Sequence, residues 1–333
     1  MTRLRPVTRW VAGFAVAAAV AVPLTIPSAQ AAPSAVGITA DDGARVVSET
    51  RIDARTVDLD IASPALGFNG KVRLLLPSNW DAQPTRTWPS LWLLHGCCED
   101  KDYQSWTHFT DVEEFTANKD VLVVMPTDGQ VGMYTSWWNF GGANKPDWET
   151  FHTKEVKQIV ERGYRANDVR VGAGLSIGGY GALAYTFRHP GLFRAAASYS
   201  GIPNTMLWGV PQFINGIVVS EGLLFYALWG NEYLQRSIWT SRNPYDNVEA
   251  FRGIGLYVSC GDGSAGPLDK AGAFDLIEPV SLQSSKSFTD KLRKKGIPVT
   301  VNYYGKGTHS WPYWERELKN SWPVLAKGLG LPA

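Results

Sequence analysis

The sequence is poor in cysteine and histidine, with three of the first and five of the second among 333 residues. Cys97, Cys98 and Cys260 cannot all pair within one chain, so at least one thiol stays free and no disulfide framework holds the fold. A bridge between the neighbours Cys97 and Cys98 is the unfavoured arrangement, because a ring closed between adjacent residues is strained. The histidines form no His-x-x-x-His pair and no cysteine–histidine ligand pattern. The sequence therefore predicts no metal site and no cofactor.

The chain also lacks an excess of charge of either sign. Its 32 basic and 31 acidic residues give a net charge of +1, which excludes electrostatic recruitment of nucleic acid. The one long apolar run, Val11–Val22, follows three arginines and precedes Ala29-Gln30-Ala31, whose small residues have the spacing that a signal peptidase reads. We interpret residues 1–31 as a secretory signal peptide. A membrane anchor is the alternative, which the shortness of the run disfavours. The mature protein is expected outside the cell or in the cell envelope, without an integral membrane segment.

The remainder of the sequence alternates between apolar strands and helices. Residues 32–50 are polar and are expected to form a flexible N-terminal extension. From residue 51 to residue 333 the alternation predicts one α/β domain with a mostly parallel sheet, helices on both faces, and ligand chemistry at the carboxyl ends of the strands. The expected strands are 56–61, 71–77, 90–95, 121–126, 169–174, 195–200, 255–260 and 299–304. The expected helices are 111–117, 149–162, 179–188, 280–295 and 314–327.

One segment interrupts this alternation. Residues 201–252 are rich in tryptophan, tyrosine and phenylalanine but have no strand pattern, and we interpret them as an insertion over the sheet that covers the active site. Two uses of these aromatic side chains remain open, a small core of the insertion itself and the lining of a substrate cleft.

A nucleophile is indicated by Gly174-x-Ser176-x-Gly178. This motif follows an apolar strand and opens a helix, and its small residues allow a turn tight enough to project a serine hydroxyl from the top of a sheet. Glycine-rich turns that only reverse the chain are common, so the strand and helix around Ser176 are what favour a catalytic role. A serine in this position needs a base.

The candidate base is His309, the one histidine in a glycine-rich loop after the last expected strand. It follows Ser176, as the chain order serine, acid, histidine of this hydrolase type requires. Two carboxylates lie in the interval where the acid belongs, Asp262 directly after a strand and Glu278 further on. Either residue type can hold the imidazole tautomer and stabilise the imidazolium. Position alone favours Asp262.

Several short motifs together resemble a known family. They are Asp102-Tyr103 with Trp106, Met125-Pro126, Gly129-Gln130, Tyr134-Thr-Ser-Trp137, Trp148-Glu-Thr-Phe151, Gly174-Leu-Ser176 and Gly307-Thr-His309-Ser-Trp311-Pro-Tyr-Trp314. In order and spacing they are similar to the secreted mycolyltransferase (antigen 85) branch of the esterase D-like α/β hydrolases, from about residue 91 to residue 325. The resemblance implies an α/β-hydrolase fold.

The resemblance also implies roles for individual residues. The acid of the family corresponds to Glu278, which gives a Ser176-Glu278-His309 triad with Asp262 as the alternative acid. The oxyanion hole corresponds to the backbone amides of Cys97 and Ile177.

Candidate substrate-binding residues from the same resemblance are His95, Cys98, Trp106 and Trp311. His95 and Cys98 stand where the mycolyltransferases carry an acidic residue and an arginine that bind trehalose. Losing those charge-assisted contacts to sugar hydroxyls disfavours trehalose as the acyl acceptor.

These observations predict a secreted serine esterase or acyltransferase that acts on an ester or lipid-like small molecule through an acyl-Ser176 intermediate. The first alternative is a mycolyltransferase that transfers long acyl chains to a sugar. The second is an extracellular binding module on a hydrolase scaffold, although a pure binder has no need of a complete triad.

Overall fold

The structure, a computed structural model, describes residues 35–99, 101–143 and 146–333, and the predicted signal peptide lies outside them. The described strands form one nine-stranded sheet in the order β1-β2-β3-β5-β4-β6-β7-β8-β9. The strands are β1 (Arg45–Arg51), β2 (Thr56–Ser63), β3 (Phe68–Leu75), β4 (Trp88–Leu94), β5 (Leu122–Pro126), β6 (Ala166–Leu175), β7 (Ala195–Tyr199), β8 (Gly255–Gly261) and β9 (Thr300–Gly305). The pairs from β1 to β5 along the order are antiparallel, and the pairs from β5 to β9 are parallel.

Helices cover both faces of this sheet. They are α1 (Ser105–Phe109), α2 (Val112–Thr116), α3 (Trp148–Thr150), α4 (Lys157–Gly163), α5 (Ile177–Arg188), α6 (Val210–Ser220), α7 (Arg236–Ser241), α8 (Ile277–Lys294) and α9 (Trp311–Leu329). A π-helical stretch, Phe151–Val156, joins α3 to α4. One apolar core contains α5 and α8, and the other contains the apolar side of α9. None of the described helices is both long and apolar enough to cross a membrane.

The central strands are apolar along their whole length because both of their faces are covered. All seven residues of β4 and all five of both β5 and β7 are buried. The predicted α/β-hydrolase architecture is confirmed, with each expected strand and helix present to within a few residues at its ends.

The N-terminal extension differs from the expectation of flexibility. Within residues 35–50, Ala40 donates its N–H to Ala44 O, and Val46 donates to Ile38 O. Arg45–Arg51 then pairs antiparallel with β2. The prediction of a flexible segment over 32–50 is therefore wrong for its described part. An edge strand has one free side and tolerates charged residues, so β1 carries no strong apolar alternation in the sequence.

The insertion, residues 201–252, contains helices and turns and no strand. Trp229 and Trp239 are fully buried with ring centroids 4.9 Å apart, and Trp229 also packs on Tyr180 of α5. Trp208 and Tyr233, in contrast, are largely exposed. The aromatic side chains thus form a small core that docks the insertion onto α5.

Candidate active site

Ser176 lies at the sharp turn between β6 and α5. Its backbone has φ 53° and ψ −120°, a conformation that non-glycine residues rarely adopt, and its N–H donates to Tyr199 O at 2.9 Å. Strain of this kind marks the nucleophile turn of α/β hydrolases, where it lifts the serine hydroxyl above the sheet. Ser176 is buried, with 8% of its surface exposed.

The glycines of the motif are required by close backbone contacts. A Cβ on Gly174 would lie 2.4 Å from Gly178 O, and a Cβ on Gly178 would lie 2.4 Å from both Leu94 O and His95 O. Real Cβ atoms do not approach oxygen this closely. The two glycines therefore allow α5 to begin directly against the end of β4.

His309 and Glu278 are in direct contact. His309 Nδ1 lies 2.7 Å from Glu278 Oε2, and Glu278 is fully buried at the start of α8. The imidazole edge of His309 also packs on Trp314, with ring centroids 4.9 Å apart. A carboxylate at this distance requires the imidazole proton on Nδ1, which leaves Nε2 free to accept a proton.

The second carboxylate oxygen of Glu278 is crowded by donors. Oε1 accepts from Gly261 N at 2.6 Å, from Ser200 Oγ at 2.8 Å, from Cys260 Sγ at 3.2 Å and from Tyr304 Oη at 3.3 Å. Burial alone would raise the pKa of Glu278, but the bonds from His309, Gly261 and Ser200 hold it below its ordinary value. Glu278 is therefore ionised and fixed in orientation.

Asp275 supports the acid and the base together, a role that the sequence interpretation missed. Its Oδ1 accepts from Ile277 N and Glu278 N, both at 2.8 Å, and its Oδ2 accepts from His309 N at 2.6 Å. The sequence does carry a signal for it, because Asp275-Leu-Ile-Glu278 has the spacing of a capping box at a helix start.

Asp262, the alternative acid, is placed elsewhere. It is exposed, and its carboxylate accepts from the Ser264 hydroxyl and from Ser264 N at 2.9 Å, two bonds that hold its pKa below the ordinary value. Within the described residues it makes no hydrogen bond to His309. Asp262 closes a surface turn after β8, and Glu278 takes the position beside the imidazole.

The proposed oxyanion amides come from two neighbouring segments. Ile177 N belongs to the first residue of α5, where helical N–H groups have no intrahelical acceptor. Gly96 lies beside the nucleophile, since a Cβ on Gly96 would be 3.5 Å from Ser176 Cβ, and Cys97 follows it. Neither amide has an acceptor among the described residues. The two amides therefore stay candidates for the donors that bind a tetrahedral oxyanion.

Cys97 and Cys98 form a disulfide bond, which corrects the expectation that this vicinal pairing is unfavoured. Cys98 has φ 68°, is exposed, and donates its N–H to Gln130 O at 2.7 Å. Cys260 is the free thiol, and its burial beside Glu278 raises its pKa. The candidate oxyanion loop thus contains a disulfide ring and is hydrogen-bonded to the loop after β5.

Two predicted substrate contacts are placed differently by the structure. His95 is 2% exposed and both of its ring nitrogens face protein atoms. Trp106 is 1% exposed and donates Nε1–H to Leu94 O at 3.3 Å. Burial removes both side chains from direct contact with a substrate, so the substrate-binding assignments of His95 and Trp106 are corrected to supporting positions beneath the site.

Trp311 remains a candidate contact. It is partly exposed, donates Nε1–H to Glu99 Oε1 at 2.8 Å, and packs on Trp106 and Trp314 with ring centroids 5.3 Å away in each case. This places an aromatic surface at the start of α9, two residues after His309.

A cavity of about 770 Å³ lies beside the loop after β5. Phe68, Gln130, Trp137, Trp148, Glu221 and Leu224 are among its lining residues, whereas Ser176, Glu278 and His309 are not. The chemistry of the charged groups, rather than cavity size, therefore locates the candidate active site. In the region that the structure describes, no group of three or more His, Cys, Asp or Glu side chains is arranged so that it could hold a metal ion.

Comparison with known proteins places this site in a family. Residues 63–324 match the family model described as "Putative esterase". The esterase Rv1288 of Mycobacterium tuberculosis is 30% identical over 266 residues, which are 77% of this chain and 56% of that protein. The chain thus spans about half the length of this relative. Ag85B of Mycobacterium intracellulare, a diacylglycerol acyltransferase/mycolyltransferase, is 28% identical over 284 residues, with 82% of this chain and 83% of that protein covered.

Solved structures agree on the fold. MPT51 (FbpC1) of Mycobacterium tuberculosis superposes with a TM-score of 0.71 at 20% identity, covering 83% of this chain and all of that one. The S-formylglutathione hydrolase FrmB of Staphylococcus aureus superposes with a TM-score of 0.57 at 19% identity, covering 81% of this chain and 98% of that one. The resemblance read from the motifs is confirmed, and the chain belongs to this esterase family, among its esterase D-like and antigen 85-like members.

Proposed function

We propose that the protein is a serine esterase or acyltransferase that works through an acyl-Ser176 intermediate. The observation that carries this proposal is the 2.7 Å contact between His309 and the buried, ionised Glu278, in a chain that also holds Ser176 in the strained turn. Membership of the esterase family and the similarity to an acyltransferase support the same reaction class.

In this mechanism His309 Nε2 takes the proton of Ser176 as the hydroxyl oxygen attacks the ester carbonyl. Glu278 holds the imidazole tautomer and stabilises the imidazolium that forms. The amides of Cys97 and Ile177 bind the oxyanion, each contributing about 10²–10³ in rate. His309 then returns the proton to the leaving alcohol, and water or a second alcohol takes the acyl group by the reverse steps.

The test is covalent labelling combined with turnover. A fluorophosphonate probe is expected to add once per chain, and peptide mapping is expected to place the adduct on Ser176, with no adduct in Ser176→Ala. Nitrophenyl esters from acetyl to palmitoyl, assayed with and without an added alcohol, then separate hydrolysis from transfer and report the preferred acyl length. A labelled Ser176→Ala variant, or turnover that survives this substitution, would contradict the proposal.

A mycolyltransferase that uses a sugar acceptor is the second candidate, supported by the similarity to Ag85B. Cys98 is uncharged and disulfide-bonded, and His95 is buried, so neither side chain can make a charge-assisted contact to sugar hydroxyls. We therefore favour an acceptor other than trehalose. A binding module on a hydrolase scaffold is the third candidate, and the hydrogen-bonded His309 and Glu278 count against it.

Export is proposed on the sequence pattern of residues 1–31 alone. Expression of the full chain in a secreting host is expected to yield a protein that begins at Ala32, as read by mass spectrometry of the intact product. A product that keeps residues 1–31 and fractionates with membranes would favour the anchor instead.

Reduction of the vicinal disulfide is expected to slow turnover. The Cys97–Cys98 ring restricts the loop that carries the proposed Cys97 donor, so opening it lets this amide move. We expect kcat to fall about three- to tenfold, less than the 10²–10³ that follows from losing an oxyanion donor altogether. Dithiothreitol treatment, with thiol titration to verify reduction, measures this effect.

A double variant, Cys97→Ala with Cys98→Ala, provides the matched control. It keeps both backbone amides and has no bond to reduce, so its rate should not respond to dithiothreitol. Undiminished turnover of the fully reduced wild type would show that the ring does not hold the loop.

A further inference from the structure

A close pair of side chains, the buried His95 and the half-buried Asp102, lies next to the candidate oxyanion loop and has no role in the mechanism above. His95 Nδ1 is 2.7 Å from Gly96 O, and His95 Nε2 is 2.6 Å from Asp102 Oδ1. A carbonyl oxygen only accepts hydrogen bonds, so Nδ1 carries a proton. The open question is whether Nε2 carries one as well.

Two protonation arrangements compete at Nε2, because Asp128 N also lies near it, at 2.9 Å. In a neutral ring Nε2 would accept from this amide, and its lone pair would then face a carboxylate oxygen at 2.6 Å. In a charged ring Nε2–H donates to Asp102, and the Asp128 amide has Asp102 Oδ1 as an acceptor at 3.4 Å. The short contact favours the imidazolium. Burial alone would lower the pKa of His95, but Asp102 raises it to about 9.

The other titratable groups around the ring do not replace Asp102. Asp128, in the loop after β5, faces the Tyr134 amide with both oxygens, and burial raises its pKa. Tyr134 donates its hydroxyl to His95 O. His152, on the π-helical stretch, is held neutral between Tyr185 and Thr127, and burial lowers its pKa to about 3. Asp102 is itself fixed by the Thr127 hydroxyl.

The Gly96–Cys97 peptide connects this pair to the reaction. Its carbonyl oxygen accepts from His95 Nδ1, and its N–H is the Cys97 donor proposed for the oxyanion hole. A hydrogen bond to a peptide carbonyl fixes the peptide plane and polarises the N–H on its other side. We propose that the charged His95–Asp102 pair is a positioning device that orients and strengthens the Cys97 oxyanion donor.

This inference rests on the proposed function, since it assigns the Cys97 amide to the oxyanion. It makes His95 a positioning residue that never touches the substrate. Because the donor acts on charge that develops in the transition state, weakening it should lower kcat and leave KM nearly unchanged.

The decisive variant is Asp102→Asn, which keeps the shape and the hydrogen-bonding capacity of the side chain and removes its charge. In this variant the buried ring is expected to become neutral at pH 7, since burial disfavours the imidazolium once its partner is uncharged. We expect kcat for a nitrophenyl ester at pH 7 to fall about tenfold, with KM changed less than about twofold.

The pH profile separates this role from a merely structural one. In the wild type, kcat is expected to decline as His95 loses its proton near pH 9, and in Asp102→Asn this decline should move to lower pH. Nitrogen-15 NMR of histidine-labelled protein, assigned with His95→Asn, should show both ring nitrogens of His95 protonated at pH 7 in the wild type and one in Asp102→Asn.

Asp111→Asn makes the same chemical change in a surface ion pair with Lys319 and is the matched control, with kcat expected unchanged. If Asp102→Asn does not fold, His95→Asn, which can still donate to Gly96 O without a charge, is measured instead, alongside NMR of the wild type.

A neutral His95 in the wild type, or an unchanged kcat in a folded Asp102→Asn, overturns the inference while Ser176-dependent turnover upholds the proposed function. Loss of Ser176 dependence in the wild type overturns the proposed function itself.

Discussion

Replacing Glu278 with glutamine is expected to lower kcat/KM for ester substrates about 10³- to 10⁴-fold, because a triad carboxylate sets the tautomer of the base. The donors around Oε1 would hold the glutamine carbonyl in that position. The side-chain amide would then point at His309 Nδ1 and donate to it, which puts the imidazole proton on Nε2. With its proton there, His309 cannot accept the proton of Ser176.

The matched control is Asp262→Asn, the same loss of charge at the carboxylate that directly follows β8. Asp262 is exposed and, among the described residues, its carboxylate accepts hydrogen bonds only from Ser264, so kcat/KM is expected to stay within about twofold of the wild type. Initial rates on a nitrophenyl ester measure both variants, and circular dichroism verifies that each is folded. A larger loss in Asp262→Asn than in Glu278→Gln would overturn the assignment of the acid.

The fold and the nucleophile could be predicted because they depend on local pattern. Strands of a parallel sheet covered on both faces read as unbroken apolar runs, and β4 and β7 are of this kind. Ser176 is recognisable because a strand, a tight glycine turn and a helix follow one another within the chain. For the acid, position in the sequence favoured Asp262, and only the family resemblance pointed to Glu278, which the structure places beside His309.

The supporting roles of His95 and Trp106 could not be predicted because part of what encloses each of them comes from distant parts of the chain. His95 was assigned to the substrate, but Asp102 and the loop after β5 enclose it once the sheet has formed. Trp106 was assigned likewise, although its ring fills the space beneath Trp311. A tryptophan or histidine side chain can either contact a substrate or support the site from beneath, and only its burial in the folded protein distinguishes the two roles. β1 was not predicted because its sequence is polar. Polar residues are typical of a loop, but they also suit a strand at the edge of a sheet.

Replacing Gly178 with alanine is the structural change with the largest expected effect. The new Cβ would lie 2.4 Å from the carbonyl oxygens of Leu94 and His95, and neither backbone can move without shifting the end of β4. We expect a loss of about 3 kcal/mol in the free energy of unfolding, as for other overpacked interiors. In a domain of this size that corresponds to a fall in Tm of roughly 5 °C.

In Gly178→Ala we expect turnover to be affected more strongly than the free energy of unfolding. Relief of the clash moves the start of α5 away from the oxyanion loop, and a displacement of about 1 Å between catalytic groups costs about 10² in rate. Gly216→Ala is the matched control, since a Cβ there meets nothing within 4 Å on an exposed turn of α6, and it should leave turnover unchanged and raise stability by about 0.5–1 kcal/mol. Thermal melts measure Tm, and initial rates on a nitrophenyl ester measure turnover, for both variants. If Gly178→Ala kept wild-type turnover, the proposed oxyanion donors would not depend on the close contact of α5 with β4. The structural basis for assigning the Ile177 and Cys97 amides to one site would then be lost.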